Sequence, residues 1–554
     1  MFRLFGRNGY VMGVRRISQL NSSLLTDKGA EESSNASVHP PLFHVPASGS
    51  RTVGRESEIL SLWQNILLGR HCQVLSGIDG LGKSTIAAEF CERIRRTQRF
   101  SCIQWFNAQR NIDAQLKQFF TSMKGRKEQD VLLVFDDVPD PEEVLSRLPD
   151  HKNLFVVMTT SKLDHSPTEK MHIVETTPLP KSAAVGLLAD VEPNSTVTEI
   201  FDLLENVPLL VHIAASLLEH SGLSSVELKG ILEAEKVKEN NTLSISRAAS
   251  LLVGVCVSEM TKIYPDARRY MTEMACFHTA DISDPIIDGV VGADGADFAM
   301  RLSQMGIFSL KWEDSAFCIH PTVAKALRQG VSEEHLCSCA RVLLQLWPKK
   351  WRGMGSQVAY NLVWHTYAVA SHFKDSGIAF SDDMMTCMDK SASFLAHNEV
   401  RDLNIAADFW FDIFSQNEGR KVVTAESARV AKECGRLLHF LRDDRAQSVL
   451  QRAYDLSQLL YGTDSPESSL VMGFLAPYLP ASESNIAALS NCVQALKSSL
   501  QSIDVVQSKE ERQMTQETIF VLLTCQGQML QEMGKTVPDS IWEELEKTHK
   551  NSTK

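Results

Sequence analysis

One stretch constrains this chain more than any other: Gly77-Ile-Asp-Gly-Leu-Gly-Lys83-Ser84-Thr85, with the spacing G-x-x-x-x-G-K-S. The partly apolar run Cys72–Ser76 before it predicts a short buried strand. Ile86, Phe90 and Ile94 after it fall on one face of a helix. Strand, glycine loop and helix start, in that order, present free backbone N–H groups to an anion. Gly77, Gly80 and Gly82 allow the backbone to curl around a phosphate with no Cβ in the way, and Leu81 lies within the same wrap. In such a loop Lys83 reaches the β- and γ-phosphates of a nucleotide and the Ser84 hydroxyl holds Mg²⁺. The bland alternative is a chance glycine-rich turn, which the flanking strand and helix disfavour.

At 554 residues the chain is too long for one core, and three or four domains are expected. A hydrophobic content of 44% and a charged content of 22% describe an ordinary globular protein. A net charge of −12 argues against a broad nucleic-acid or anionic-membrane surface. The twelve cysteines are scattered, without a C-x-x-C pair, which fits reduced thiols rather than a disulfide framework or a zinc site. No apolar run reaches the length of a membrane span. The first residues carry Arg3, Arg7, Arg15 and Arg16 and no acid before Asp27. That composition predicts an organelle presequence and linker over 1–45, with mitochondrial (matrix) import as the expectation and a cytoplasmic basic tail as the alternative. Residues 26–50, rich in Ser, Pro, Gly and Glu, read as a linker within and just past it.

The nucleotide-binding domain is expected over 46–180. Ile59, Leu62 and Ile66 predict a helix leading into the loop strand; Cys102–Asn107 predicts a second strand and Ile112–Met123 a helix. Val131-Leu-Leu-Val-Phe-Asp136-Asp137 is a buried parallel strand with two acids at its C-terminal end, the edge where open α/β sheets bind ligands. Asp136 is the candidate second Mg²⁺ ligand, and Asp137 the candidate that orients an attacking water, with Lys83 as its catalytic partner. Asn153–Met158 predicts a further strand, ending in Thr159-Thr160-Ser161-Lys162. Thr160 there is a candidate sensor of the γ-phosphate, and a plain polar turn is the alternative. His172–Glu175 closes the sheet, and helices follow over 181–240.

Val53-Gly-Arg55, the phosphate loop, Leu132–Asp137, Thr159-Thr160 and Asn206-Val-Pro208-Leu-Leu stand in the order and spacing of the NB-ARC class of STAND ATPases, and the chain resembles that family over roughly 50–335. Tyr264–Phe277, Asp281–Ile287 and Cys318-Ile-His320-Pro321 resemble the family's winged-helix domain, expected here over 241–335. The resemblance implies that Val53 and Arg55 lie beside the adenine and ribose. It also implies that Gly80, Gly82, Lys83, Ser84 and Thr85 wrap the phosphates and that Pro208 presses on the adenine. His320 takes the place of the family histidine that touches the ADP β-phosphate and locks a closed state. Three departures stand out. Ser161 and then Lys162 occupy the place of the family's arginine, whose bidentate fork a lysine cannot reproduce. Asn206-Val207 replaces the usual glycine before the proline, and Pro321 replaces the acidic residue after the histidine.

Beyond 336 the sequence is helical throughout. Ala446, Leu450 and Ala453 lie in one helix; Ala446 and Ala453 recur as Ala488 and Ala495 with a spacing of 42 residues, and Ala446 as Ala406 with a spacing of 40. Small residues in phase let antiparallel helices pack closely, so 336–554 reads as a tetratricopeptide-like array, with an irregular helical domain as the alternative. The turn Gly462-Thr-Asp-Ser-Pro-Glu467 resembles the longer repeats of kinesin light chains. Such arrays bind protein or peptide partners. The parts together imply an ADP/ATP-dependent switch with slow hydrolysis, opening, and nucleotide-dependent self-association. A non-hydrolysing scaffold stabilised by nucleotide, and a nucleic-acid-linked ATPase built on the winged helix, are the alternatives.

Overall fold

The computed structural model describes residues 42–43, 45, 52–108, 112, 115–116, 119–120, 130–149, 153–161, 171–188, 194–239, 243–311, 316–348, 356–397, 402–502 and 509–552. Most of the segment expected as presequence and linker over 1–45 lies outside them, as do Lys162 and most of the helix expected over 112–123. The chain divides into two units: Met1–Leu346 with Tyr367–His372, and Trp347–Thr366 with Phe373–Lys554.

The first unit is built on a parallel sheet of β1 (Leu42–Phe43), β2 (Cys72–Ser76), β3 (Cys102–Asn107), β4 (Val131–Asp136), β5 (Leu154–Thr160) and β6 (His172–Glu175), in the spatial order β1-β3-β4-β5-β2-β6. Its strands are near-continuous apolar runs because both faces are covered. Alternate residues feed two cores: Leu75, Val134 and Val157 pack on one side, Val74, Leu133 and Met158 on the other. Helix α1 (Glu56–Leu67) and α2 (Lys83–Arg95) supply Ile59, Leu62, Ile86, Phe90 and Ile94 to the first core. The linker reading of 26–50 requires one correction. Leu42–Phe43 adds a sheet edge, pairing in parallel with Ile103 and Gln104, and Val45 enters the core. Two residues are too few for a periodicity to be legible.

After the short α3 (Pro141–Ser146), helices α4 (Lys181–Val185), α5 (Ser195–Leu203), α6 (Pro208–His220) and α7 (Ser225–Lys238) form the helical part. Helices α8 (Ile245–Thr261), α9 (Ala267–Cys276), α10 (Asp284–Val291), α11 (Gly295–Gln304), α12 (Pro321–Leu327) and α13 (Glu333–Leu346) follow. With the antiparallel sheet of β7 (Ile282–Ser283), β9 (Ala316–Ile319) and β8 (Phe308–Lys311) they make a winged helix. The boundary expected at 335 falls too early, since α13 packs on α9 and α10 through Leu336, Cys339 and Leu343. Sequence alone does not separate it from the helices beyond.

In the second unit α14 (Ser356–Asp375), which the division of the chain cuts, is followed by helical hairpins. These are α15 (Asp382–His397) with α16 (Leu403–Gly419), α17 (Ala425–Leu441) with α18 (Ala446–Tyr461), α19 (Pro466–Leu475) with α20 (Glu483–Ser502), and α21 (Lys509–Glu532) with α22 (Asp539–Ser552). The 40-residue spacing holds: Ala406, Phe409, Trp410 and Ile413 are buried where Ala446, Val449, Leu450 and Ala453 are buried. The 42-residue spacing does not. Ala488 and Ala495 are half-buried, and the buried set Leu489, Cys492, Val493 and Leu496 sits 43 residues on from α18. The Gly462–Glu467 turn is a capped helix start: Ser465 accepts from the Ser468 amide at 3.1 Å, with Pro466 at the first helical position.

Helices α17 and α18 meet where Gly435 has no side chain. A Cβ there would stand 2.6 Å from Leu450 Cδ2 and 2.8 Å from its Cγ, and Leu450 is itself fully buried. Gly435→Val should therefore destabilise the second unit by about 1–3 kcal/mol, as overpacked cores do. A urea midpoint left unchanged would show that the two helices do not approach there.

Candidate phosphate-binding site

The loop leaves the C-terminal end of β2 and becomes helix α2 at Gly82. Gly80 and Gly82 have φ of +86° and +84°, a conformation that only glycine adopts freely. Around the missing Cβ of Gly82 the nearest atoms, both of Thr85, are 4.0 Å away, so the cradle is open on that side. Helix α2 has no acid in its first turn, leaving the positive end of its dipole uncompensated. Ser84 and Thr85 are exposed there.

Lys83 is buried. Its ammonium donates to the carbonyls of Gly77 at 2.7 Å and Ile78 at 2.9 Å, and Asp79 Oδ1 stands 3.9 Å away. Burial pulls its pKa down, while Asp79, Asp137 and Asp136 pull it up. Across the loop, Ser84 Oγ donates to Asp136 Oδ1 at 2.7 Å, and Thr159 Oγ1 donates to the same oxygen at 2.6 Å. The Asp137 amide donates to Thr159 Oγ1 at 2.8 Å, and Asp137 has a φ of +61°. Burial raises the Asp136 pKa, and the bonds from Ser84 and Thr159 oppose that rise.

Strand order explains this meeting. Strand β5 lies between β4 and β2, so its terminal threonines stand between the acids and the loop. Spacing in the sequence points to Thr160 as the sensing residue. Both threonines are buried; Thr159 turns its hydroxyl to the acids, while the Thr160 carbonyl accepts from the Gly77 amide of the loop at 3.3 Å, neighbouring residues of a strand facing opposite sides of the sheet. That alternation was the available signal. The loop acid Asp79 was also missed, since the motif places no demand on its position.

Arg55 is buried at the root of the loop. Its guanidinium donates to Leu81 O at 2.7 Å, Thr177 O at 2.6 Å and Glu58 Oε1 at 2.8 Å, tying α1 and the end of β6 to the loop. The Leu81 side chain is buried, so only its backbone belongs to the cradle. Val53 is half-buried beside Gly186. Ser161 is exposed at the end of β5. From the helical part, Pro208 starts α6 and the Leu209 amide donates to Gly80 O at 3.2 Å.

From the winged helix, His320 caps α12. Its Nδ1 accepts from the Thr322 amide at 3.2 Å, so the neutral ring carries its proton on Nε2. Burial pulls its pKa down to about 4, with Asp79, Lys83 and Asp137 close enough to act on it. That direction favours the uncharged ring, whose Nε2–H is a donor.

The residues present suit a nucleotide with Mg²⁺. A ring of backbone amides and one ammonium suits a polyphosphate, and three carboxylates around that ammonium leave an excess of negative charge. The Ser84 hydroxyl and Asp136 carboxylate, bonded to each other, are the hard oxygen donors Mg²⁺ takes. Strand, phosphate loop, helix and strand-end acids in this arrangement define the P-loop NTPase fold.

No family model and no curated protein was found to match the chain. Among solved structures it is similar, over 92% of its length and 82% of the other chain, to a signal transduction ATPase with numerous domains from Pyrococcus horikoshii that carries a tetratricopeptide repeat sensor (11% identity, TM-score 0.48). It is also similar, over 51% of its length and 98% of the other chain, to a Walker-type ATPase of Pyrococcus abyssi (15% identity, TM-score 0.26). The site stands on its own geometry.

Thr159 touches both acids, so Thr159→Val, of nearly the same shape, should leave the Asp137 amide without an acceptor and cost about 1–3 kcal/mol of stability. Thr159→Ser should restore most of it. Equal urea midpoints for the Val variant and the parent would remove Thr159 from this role.

Proposed function

We propose that the first unit is an ADP/ATP-binding switch with slow, Mg²⁺-dependent ATP hydrolysis, and that the helical hairpins of the second unit assemble protein or peptide partners. One observation carries the reading: the phosphate loop and the helix it starts are met by the Asp136 carboxylate at Ser84 and by the Leu209 amide of the helical part at Gly80, with His320 of the winged helix near enough for the charges of Asp79 and Lys83 to act on it. A ligand there is held by three segments at once. A conformational equilibrium responds to a ligand only through its different contacts in the two states, and this junction offers such contacts.

Each residue has a role in that reading. Lys83 carries a charge already fixed on the loop by two carbonyls, and it transfers to the phosphates without losing its burial. Ser84 and Asp136 hold the metal, which when bound neutralises charge on the phosphate oxygens. Thr159 fixes the backbone at Asp137, whose carboxylate orients an attacking water. His320 Nε2–H donates to the diphosphate and favours the closed form. Val53 and Pro208 flank the adenine, the latter from the start of α6, and Arg55 serves them by holding Leu81. The arginine-rich residues 1–45 add a proposal of import into the mitochondrial matrix, supported by their composition alone.

Denaturing the purified protein and identifying the released nucleotide tests the site. The parent should yield ADP or ATP, and Lys83→Ala should come out empty; ADP retained by that variant would count against the loop. His320→Ala should move the bound pool from ADP toward ATP or raise the oligomeric fraction. An unchanged pool and an unchanged size distribution would take His320 out of the lock.

A further inference from the structure

A phosphate loop works by presenting positive field to an anion: backbone amides, a helix N-terminus and one ammonium. This loop contains an acid. Asp79 is its third residue, its side chain is 58% exposed, and its Oδ1 lies 3.9 Å from the Lys83 ammonium. That separation is too long for a hydrogen bond, and the Lys83 ammonium donates to the Gly77 and Ile78 carbonyls instead. The carboxylate therefore acts through its field rather than as a strut of the loop. Among charged groups it is also the foremost acting on both Lys83 and the His320 imidazole.

We propose that Asp79 makes this site discriminate against a triphosphate: its carboxylate, beside the ammonium that engages the outer phosphates, repels the extra charge of a γ-phosphate and leaves the diphosphate preferred. The inference rests on the nucleotide-binding reading above and names which nucleotide the loop favours and why. The lysine of a phosphate loop serves the β- and γ-phosphates, so a negative group next to it bears more heavily on ATP than on ADP. The bias sits in the loop itself. It adds to whatever preference the closing segments contribute, and it weakens with salt, because the carboxylate is largely exposed.

The test is calorimetric titration of the nucleotide-depleted full chain with ATP and with ADP, in Mg²⁺, for the parent, Asp79→Asn and Asp79→Glu. Asp79→Asn should raise the ratio of ATP to ADP affinity about tenfold, the order expected of one unit charge a few ångströms away in a partly hydrated site. Asp79→Glu should keep the parent ratio, and the Asn effect should shrink at high salt. Because Asp79 is exposed, melting of the Asn variant should match the parent. A ratio unchanged within about twofold overturns the inference while leaving nucleotide binding intact. Weakening of both nucleotides by the Asn variant in Mg²⁺, absent in EDTA, also overturns it and makes Asp79 part of the metal shell. A folded parent that takes up neither nucleotide defeats the nucleotide-binding reading and this inference together.

Discussion

One carboxylate oxygen joins the parts of this site. Asp136 Oδ1 accepts from Ser84 on the phosphate loop and from Thr159 on β5, and Thr159 in turn accepts from the amide of Asp137. Two strand ends and the start of helix α2, separated by tens of residues in the sequence, are thereby held together at one edge of the sheet. The sheet makes this possible by placing β5 between β2 and β4. A carboxylate in such a place is desolvated, which raises its pKa, and the two hydroxyl donors oppose that rise.

Much of this was legible in the amino-acid sequence, and the reasons are physical. The strand Cys102–Asn107 was read to the residue because six apolar-rich positions buried on both faces leave little ambiguity about length. The loop was legible because its chemistry needs glycines and a lysine at fixed spacing. What the sequence left open was the direction of side chains. Thr159 and Thr160 are adjacent in sequence and opposed in space, and Arg55 has several carbonyls within reach. Motif spacing says which residues are near a loop, not what each side chain grips.

The hairpin array makes the same point on a larger scale. A 40-residue spacing carries the buried set of α18 back to α16 without error, while the step forward to α20 is 43 residues and not 42. An extra residue rotates a helix by about 100°, enough to move a small side chain from the seam to its margin. Alanines that recur in a sequence are thus weaker guides to a seam than the large residues packed there: Leu489, Cys492, Val493 and Leu496 mark it in α20, and no alanine does. The winged-helix boundary was misplaced for a related reason, since α13 carries an apolar stripe like those beyond it and only packing reveals its neighbours.

The amide of Leu209, bonded to the carbonyl of Gly80, makes the start of α6 and the crest of the loop a single piece of backbone. Any motion that lifts that helix also bends the crest it is fastened to. Residence time of a guest in the loop is then governed by how often the helix lets go, a kinetic property set outside the loop. Substitutions along the buried flank of α6, at Leu210, Val211 or Ala214, thereby gain a route to the dwell time of a molecule they never touch.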